Sequence, residues 1–171
     1  MAMEMTAAAL KELLGLEPHP REGGWFAETW RTEERIVAGA LPARYSGSRA
    51  AGTAIYYLLE PGHFSEMHRL ASDEVFHFYL GDAVEMLRLS VDGTGERVVL
   101  GQDLVEGQWV QTVVPQGVWQ GSRLVEGGKF ALLGCTVSPG FDYADYESGS
   151  GAELVRGWPE WREMIEGLTR I

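Results

Sequence analysis

Apolar positions along this 171-residue chain fall into short β-branched and aromatic runs, not into the long three-and-four-residue stripes of a helical protein. From Gly23 onward the runs are Trp25 to Thr32, Thr53 to Glu60, Phe64 to Leu70, Glu74 to Leu80, Val84 to Val91, Arg97 to Leu100, Trp109 to Val114, Val118 to Val125 and Lys129 to Val137. Gly, Pro, Asp and Ser separate them, and nine such runs in a little over a hundred residues predict an all-β sandwich or barrel. Asp92-Gly93 and Gly127-Gly128 stand between consecutive runs and predict antiparallel hairpins, not crossover helices. Helical spacing is confined to the ends. Residues 4 to 14, with Leu10, Leu13 and Leu14 behind an Ala run, predict a short amphipathic helix that stops at Gly15 before Pro18 and Pro20. After Pro159, Glu160 to Leu168 sets Trp161, Ile165 and Leu168 on one face. The expected organisation is one domain over 1–171, with an N-terminal helical appendage over 1–20 and a C-terminal helical tail over 141–171. Thr32 to Arg49 is the one long irregular stretch, of a length that is usually either mobile or part of a site or interface.

Composition narrows the partners. Lys and Arg number 14 against 25 Asp and Glu, a net charge of −11 that repels phosphate backbones and anionic lipid, so neither nucleic acid nor a membrane is expected as partner. No apolar run approaches the roughly 18 residues of a membrane helix, and the first residues lack a basic stretch leading into an apolar core. A cytoplasmic protein is expected. Cys135 is the single cysteine and cannot form an intramolecular bridge; in an apolar run it reads as an inert buried thiol.

Candidate chemistry concentrates around two of the four histidines. In Phe64 to Leu70 the two-residue strand period groups Phe64, Glu66, His68 and Leu70 on one face, with Met67 and Arg69 opposite. The next run groups Glu74, Phe76, Phe78 and Leu80, leaving Val75, His77 and Tyr79 outside. With both apolar faces inward, His68, Glu66 and Glu74 enter the sandwich interior, where two carboxyls and an imidazole are costly unless they bind something or line a wet cavity. The bland alternative for His68 is a core imidazole satisfied by a carboxylate. Glu66 belongs to the inward face only if its strand carries no bulge. His77 reads as a surface or dimer contact, and His19 and His63, beside Pro20 and Gly62, are assigned no role.

The spacing Gly62, five residues, His68, one residue, Leu70, three residues, Glu74, six residues, Gly81 resembles the first motif of the cupin superfamily, with Leu70 where that pattern has a second His. Pro115-Gln116-Gly117-Val118-Trp119-Gln120 resembles the second motif, with Gln120 in its His position. A narrower resemblance, to a small-cupin group of unknown function, rests on Glu22-Gly23-Gly24-Trp25-Phe26, Ser72 to Phe78, Val114 to Gln120 and Gly134 to Asp142. It implies a cupin-type double-stranded β-helix, a jelly roll with short terminal helices, usually homodimeric and akin to sugar-nucleotide epimerases. The implied metal positions read His68, Leu70, Glu74 and Gln120, so at most a weakly bound divalent ion at His68, Glu74 and Gln120, completed by Glu66 or water, is expected.

The leading functional expectation is a small-molecule-binding cupin, its cavity lined by Glu66, Phe76, Phe78, Trp119 and Gln120 around His68 and Glu74. For each aromatic the simpler reading is packing. The alternatives are a metal-independent, epimerase-like isomerase with His68 as base and Glu74 or Glu66 tuning it, and a metal-dependent cupin enzyme.

Overall fold

The computed structural model describes residues 5–170. In chain order the elements are α1 (Ala7–Leu14), β1 (Glu17–Pro18), β2 (Trp25–Arg31), β3 (Arg35–Ile36), β4 (Arg49–Ala50), β5 (Thr53–Leu59), β6 (Phe64–Arg69), β7 (Asp73–Gly81), β8 (Val84–Leu89), β9 (Gly95–Leu100), β10 (Gln111–Val114), β11 (Trp119–Leu124), β12 (Ala131–Ser138), β13 (Glu147–Ser148), α2 (Gly151–Gly157) and α3 (Arg162–Gly167). All nine predicted runs are strands. Six of the strands form one sheet in the order β1-β2-β5-β12-β7-β10, five form a second in the order β13-β6-β11-β8-β9, and β3 pairs with β4. Each pairing is antiparallel, and the sequence-distant neighbours β5-β12 and β6-β11 show the chain passing between sheets, as a jelly roll requires.

Strand parity distributes the apolar side chains to three layers. Val84 and Met86 of β8 point between the sheets to meet Tyr57, Leu59, Phe76, Phe78 and Leu133, while Leu87 and Leu89 of the same strand lie in a second cluster under the C-terminal helices. That cluster joins them to Met67, Leu154, Val155, Met164, Ile165 and Leu168, so the five-stranded sheet is buried on both faces. On the outside of the other sheet, α1 lays Leu10 over Leu58 and Leu132. The Thr6 hydroxyl caps α1 by accepting from the Ala9 N–H at 3.1 Å, and Gly15 ends it in the left-handed region at φ 62°. The predicted helix start at residue 4 lies outside the described residues.

Two expectations need correction. The C-terminal helix is not continuous: Pro159–Trp161 forms a tight 3-10 turn leading into α3, and a further helix, α2, precedes it. Glycines at both ends of α2 hide it from propensity reasoning, and burial of Leu154 and Val155 on the sheet supplies what its seven residues lack. Residues 32–49 are not wholly irregular either, since β3 and β4 close that segment on itself.

That closed segment is tied to the connector after β12 by an ion pair. Arg49 Nε and Nη2 donate to Asp145 Oδ2 and Oδ1 at 2.7 and 2.6 Å, with side chains only 4% and 5% exposed. Removing one partner strands a buried charge. Asp145→Ala is therefore expected to lower stability by about 3–5 kcal/mol in urea unfolding. Glu147→Ala, which breaks the similarly bidentate but exposed pair with Arg69, is expected to cost about 0–1 kcal/mol. Equal losses would show that the buried pair is not the tie.

Candidate functional site: a polar layer beside an open cavity

The site is built on an irregularity in β6. Against β11, His68 pairs with Gln120 and Ser65 with Ser122, so Glu66 and Met67 together oppose Gly121. A Cβ on Gly121 would stand 2.7 Å from Met67 Sδ, so glycine accommodates the bulge. The extra residue inverts the parity. Ser65, His68, Gln120 and Ser122 share the interior face, whereas Phe64 and Met67 pack outward under the helices. Phe64, Glu66 and His68 are therefore not one face, as unbroken alternation predicts.

His68 is 1% exposed, and its ring stacks on Tyr146 at 4.9 Å with 13° between planes. Its Nδ1 lies 2.7 Å from the Glu66 backbone carbonyl, which can only accept, so Nδ1 carries the proton and Nε2 holds the lone pair of the neutral ring. Nε2 looks toward Glu22 Oε2 at 4.0 Å. Glu74 Oε2 accepts from Gln120 Nε2 at 2.7 Å. Burial first, and the neighbouring Glu22 second, push the Glu74 carboxyl up to about 7, against the opposing pull of His68 and Gln120. Burial and the same carboxyls also push the Cys135 thiol up, as an inert thiol requires.

His19 and Glu22, to which sequence reasoning gave no role, belong to the same layer. The Glu22 carbonyl accepts from the Glu66 N–H at 2.9 Å, and its Oε1 accepts from the Ser65 hydroxyl at 2.5 Å. Gly23 and Gly24 adopt φ of 100° and 68°, and a Cβ on Gly23 would lie 2.2 Å from the Phe64 carbonyl. Only glycine lets this arm press so closely on β6. His19 Nδ1 accepts from the Glu22 N–H at 2.9 Å, leaving Nε2 as the protonated atom of the neutral ring, 3.8 Å from Glu22 Oε2. Burial holds His19 below the ordinary histidine value despite Glu22. The legible signal was the Glu22-Gly23-Gly24 triplet just before the first long strand.

Beside this layer opens a cavity of about 490 Å3. Glu22, Glu74, His19 and Cys135 line its polar part, Phe26, Ile55, Leu70 and Val137 its apolar part, and Glu28, Arg31, Phe141, Asp142 and Tyr143 complete the lining. Of the sequence-predicted residues only Glu74 lines it. His68 and Gln120 connect to it through Glu22 and Glu74. Glu66 turns instead to Tyr146 and Ser148, whose hydroxyls donate to its Oε1 at 2.9 and 2.7 Å, with Arg170 at 3.5 Å from Oε2. Phe76 and Phe78, expected at the cavity, are spent in the inter-sheet core. Trp119, also expected there, has the opposite parity to Gln120 and packs on the outer cluster under the Arg69 guanidinium at 4.5 Å. His77 lies outside, within 3.2 Å of both the Thr136 hydroxyl and the Gln111 amide.

A metal centre of the cupin pattern does not fit this donor set. Leu70 presents an alkyl group, Gln120 directs its amide nitrogen to Glu74, and among the described residues no three His, Cys, Asp or Glu side chains are grouped to hold an ion.

A jelly roll with this inward His, Glu and Gln at the motif positions is a cupin. The chain belongs to the cupin superfamily group DUF985, whose family model matches residues 8–149. It is similar to the uncharacterized protein YML079W of Saccharomyces cerevisiae, 31% identical over 144 residues that span 80% of this chain and 72% of that one. Two solved structures resemble it closely. A hypothetical protein from Leishmania major has a TM-score of 0.87 at 30% identity, covering 98% of this chain and 100% of its own. Protein SO0799 of Shewanella oneidensis has a TM-score of 0.85 at 33% identity, covering 98% and 99%. Oxalate decarboxylase from Bacillus subtilis, at 14% identity and a TM-score of 0.52, covers 90% of this chain and 37% of its own and shares the fold. Among the described residues no helix is long and apolar enough to cross a membrane.

The raised Glu74 value has a thermodynamic consequence. Below pH 4.5 folded and unfolded chains are both protonated at this carboxyl; between 4.5 and about 7 the unfolded chain releases the proton while the folded one keeps it. Stability is therefore expected to fall as pH rises through that window, by on the order of 1–3 kcal/mol, and Glu74→Gln should flatten the fall. Urea unfolding of both proteins at pH 5 and pH 8 checks this, and parallel profiles would remove Glu74 as the cause.

Proposed function

We propose that the chain is a small-molecule-binding cupin whose ligand occupies the cavity beside Glu22 and Glu74. The observation that carries this reading is an open cavity of about 490 Å3 whose wall contains buried carboxyls that the packing of a sandwich does not call for. Apolar walls from Phe26, Ile55 and Val137 supply contact area, and the carboxyls fix orientation. Ile55→Trp projects an indole into the cavity from β5 and is expected to abolish binding of fragments detected by saturation-transfer NMR, with the circular dichroism spectrum unchanged. Fragment binding that survives the substitution would place the ligand elsewhere, and wild-type protein that binds no fragment would overturn the reading.

Isomerisation with His68 as base is the second reading, favoured by the fixed tautomer that leaves Nε2 free to accept a proton. His68 does not line the cavity, so a substrate carbon must reach past the lining to that atom, which lies 4.0 Å from Glu22 Oε2. The cavity lining favours binding over this chemistry.

We also propose a homodimer. Tyr79, Trp109, Val110 and Val113 are 44–58% exposed along β7, β10 and the segment leading into it, and among the described residues β10 is an edge strand whose one strand neighbour is β7. At the opposite end of the same sheet, the first residues of β2 are already covered by β1. Light scattering after size exclusion should give about twice the chain mass, and Val113→Arg should shift it toward one. A wild-type monomer at micromolar concentration would refute the dimer.

A further inference from the structure

The charges around the cavity are unbalanced in a way that selects among ligands. Glu22, Glu28, Glu74 and Asp142 bring four carboxyls to the lining, Glu28 paired with the Arg31 guanidinium and Glu74 keeping its proton up to about pH 7, so that Glu22 and Asp142 face only the imidazole of His19 as a further basic group among the described lining residues. Arg31 is already engaged: its Nε and Nη2 donate to Glu28 at 3.0 and 2.7 Å, and its Nη1 donates to the Phe141 carbonyl at 3.2 Å. His19 Nδ1 is taken by backbone N–H groups, and burial disfavours its charged form. Among the described lining residues an incoming phosphate or carboxylate finds no free cation; Arg21, outside the lining, lies over the Tyr146 ring at 4.9 Å.

Glu22 is the complementary case. Its residue is 9% exposed, and Oε1 accepts from Ser65, but Oε2 has only His19 Nε2 at 3.8 Å and His68 Nε2 at 4.0 Å. Among the described residues no donor reaches Oε2 within hydrogen-bond distance. A carboxylate oxygen beside a cavity, buried and short of a donor, is completed by a group that brings N–H or O–H with it. The adjoining wall is aromatic. His19 lies 4.8 Å from Phe26 and 6.2 Å from Tyr143, and Tyr143 lies 5.0 Å from Phe141, ring centre to ring centre. Aromatic faces attract cations and repel anions through their quadrupoles.

From these features, and resting on the proposal that the cavity holds a ligand, we infer that the ligand is a small organic cation, its ammonium or amidinium group held by Glu22 and its apolar part against Phe26, Phe141 and Tyr143. Glu22 accepts the N–H bonds, Asp142 adds attraction at longer range, and the aromatic wall replaces the water stripped from the cation. A sugar nucleotide, with its diphosphate, is the wrong sign for this lining. A neutral polyol satisfies the hydrogen bonding but leaves the carboxyl charge uncompensated.

Three fragments of one shape separate these possibilities: benzylamine, benzyl alcohol and benzoate, titrated into the wild-type chain while the backbone amides of Thr53 and Val137 report cavity occupancy by NMR. Benzylamine is expected to bind about tenfold or more tightly than benzyl alcohol, with benzoate weakest, and Glu22→Gln is expected to erase most of that advantage, bringing benzylamine and benzyl alcohol to within about threefold of each other. A test independent of any variant is ionic strength, since added salt should weaken benzylamine and spare benzyl alcohol. Benzyl alcohol or benzoate binding as tightly as benzylamine, with shifts at Thr53 and Val137, would overturn the cation and leave cavity binding standing. Benzylamine binding indifferent to both Glu22→Gln and salt would equally overturn it. If no fragment shifts those amides, the inference falls together with the reading it rests on.

Discussion

Two residues that cannot join the β6–β11 ladder organise most of what surrounds the site. A bulge leaves backbone donors and acceptors without sheet partners, and in a buried strand each must find one elsewhere. The Glu66 N–H donates to the Glu22 carbonyl at 2.9 Å, and the Met67 N–H to the Leu168 carbonyl at 2.7 Å. The Met67 carbonyl accepts from Gly149 N–H at 2.7 Å, and the Glu66 carbonyl takes His68 Nδ1. The N-terminal arm, the C-terminal tail and the connector before α2 are thus all anchored on two adjacent peptide units. One irregularity fixes the tautomer of the buried histidine and brings the buried Glu22 to its side.

The same device explains how a sandwich tolerates so many polar groups inside. Ser65, His68, Gln120 and Ser122 form a row across β6 and β11, each less than 3% exposed. Unpaired, such groups are costly. Ser65 donates to Glu22, Gln120 donates to Glu74, and the Tyr57 hydroxyl donates to the Gly23 carbonyl at 2.7 Å. The layer is nearly closed on itself, and its open acceptors are Glu22 Oε2, on the cavity side, and His68 Nε2 4.0 Å behind it. Chemistry in this molecule is therefore concentrated at the boundary between a satisfied polar layer and an apolar hollow.

How much of this a sequence can disclose follows from the range over which each feature is determined. Strand existence is local: alternation, β-branched composition and glycine punctuation mark all nine long strands, and the spacing of Gly62, His68, Glu74 and Gly81 marks the superfamily. Facing is local only while the ladder is regular, which is why Glu74 and Phe76 fall inward as alternation requires while Glu66 does not. The bulge depends on Gly121, more than fifty residues away, and no pattern within Phe64 to Leu70 signals it. Trp119 misled for another reason, since an aromatic beside a motif position suggests a ligand contact although its parity sends it to the helix-covered face. His19 and Glu22 lie in an arm without regular structure, where periodicity says nothing about direction.

Position 120 shows what a departure from a motif does to the residues left behind. Where the superfamily pattern has imidazoles at 70 and 120, this chain has an alkyl group and an amide, yet it keeps His68 and Glu74. A carboxyl as buried as Glu74 needs a donor, and the Gln120 amide supplies one at 2.7 Å while its neighbour across the strand pair, His68, is held by backbone and by stacking on Tyr146. Donor atoms that would otherwise converge on a common point bond to one another instead. Leu70, freed from any polar duty, becomes part of the apolar cavity wall. The residues at 70 and 120 thus act in one direction: in place of a set of converging ligands they leave a hydrogen-bonded layer with an open cavity beside it, in which Glu22, from outside the motifs, holds an unfilled acceptor.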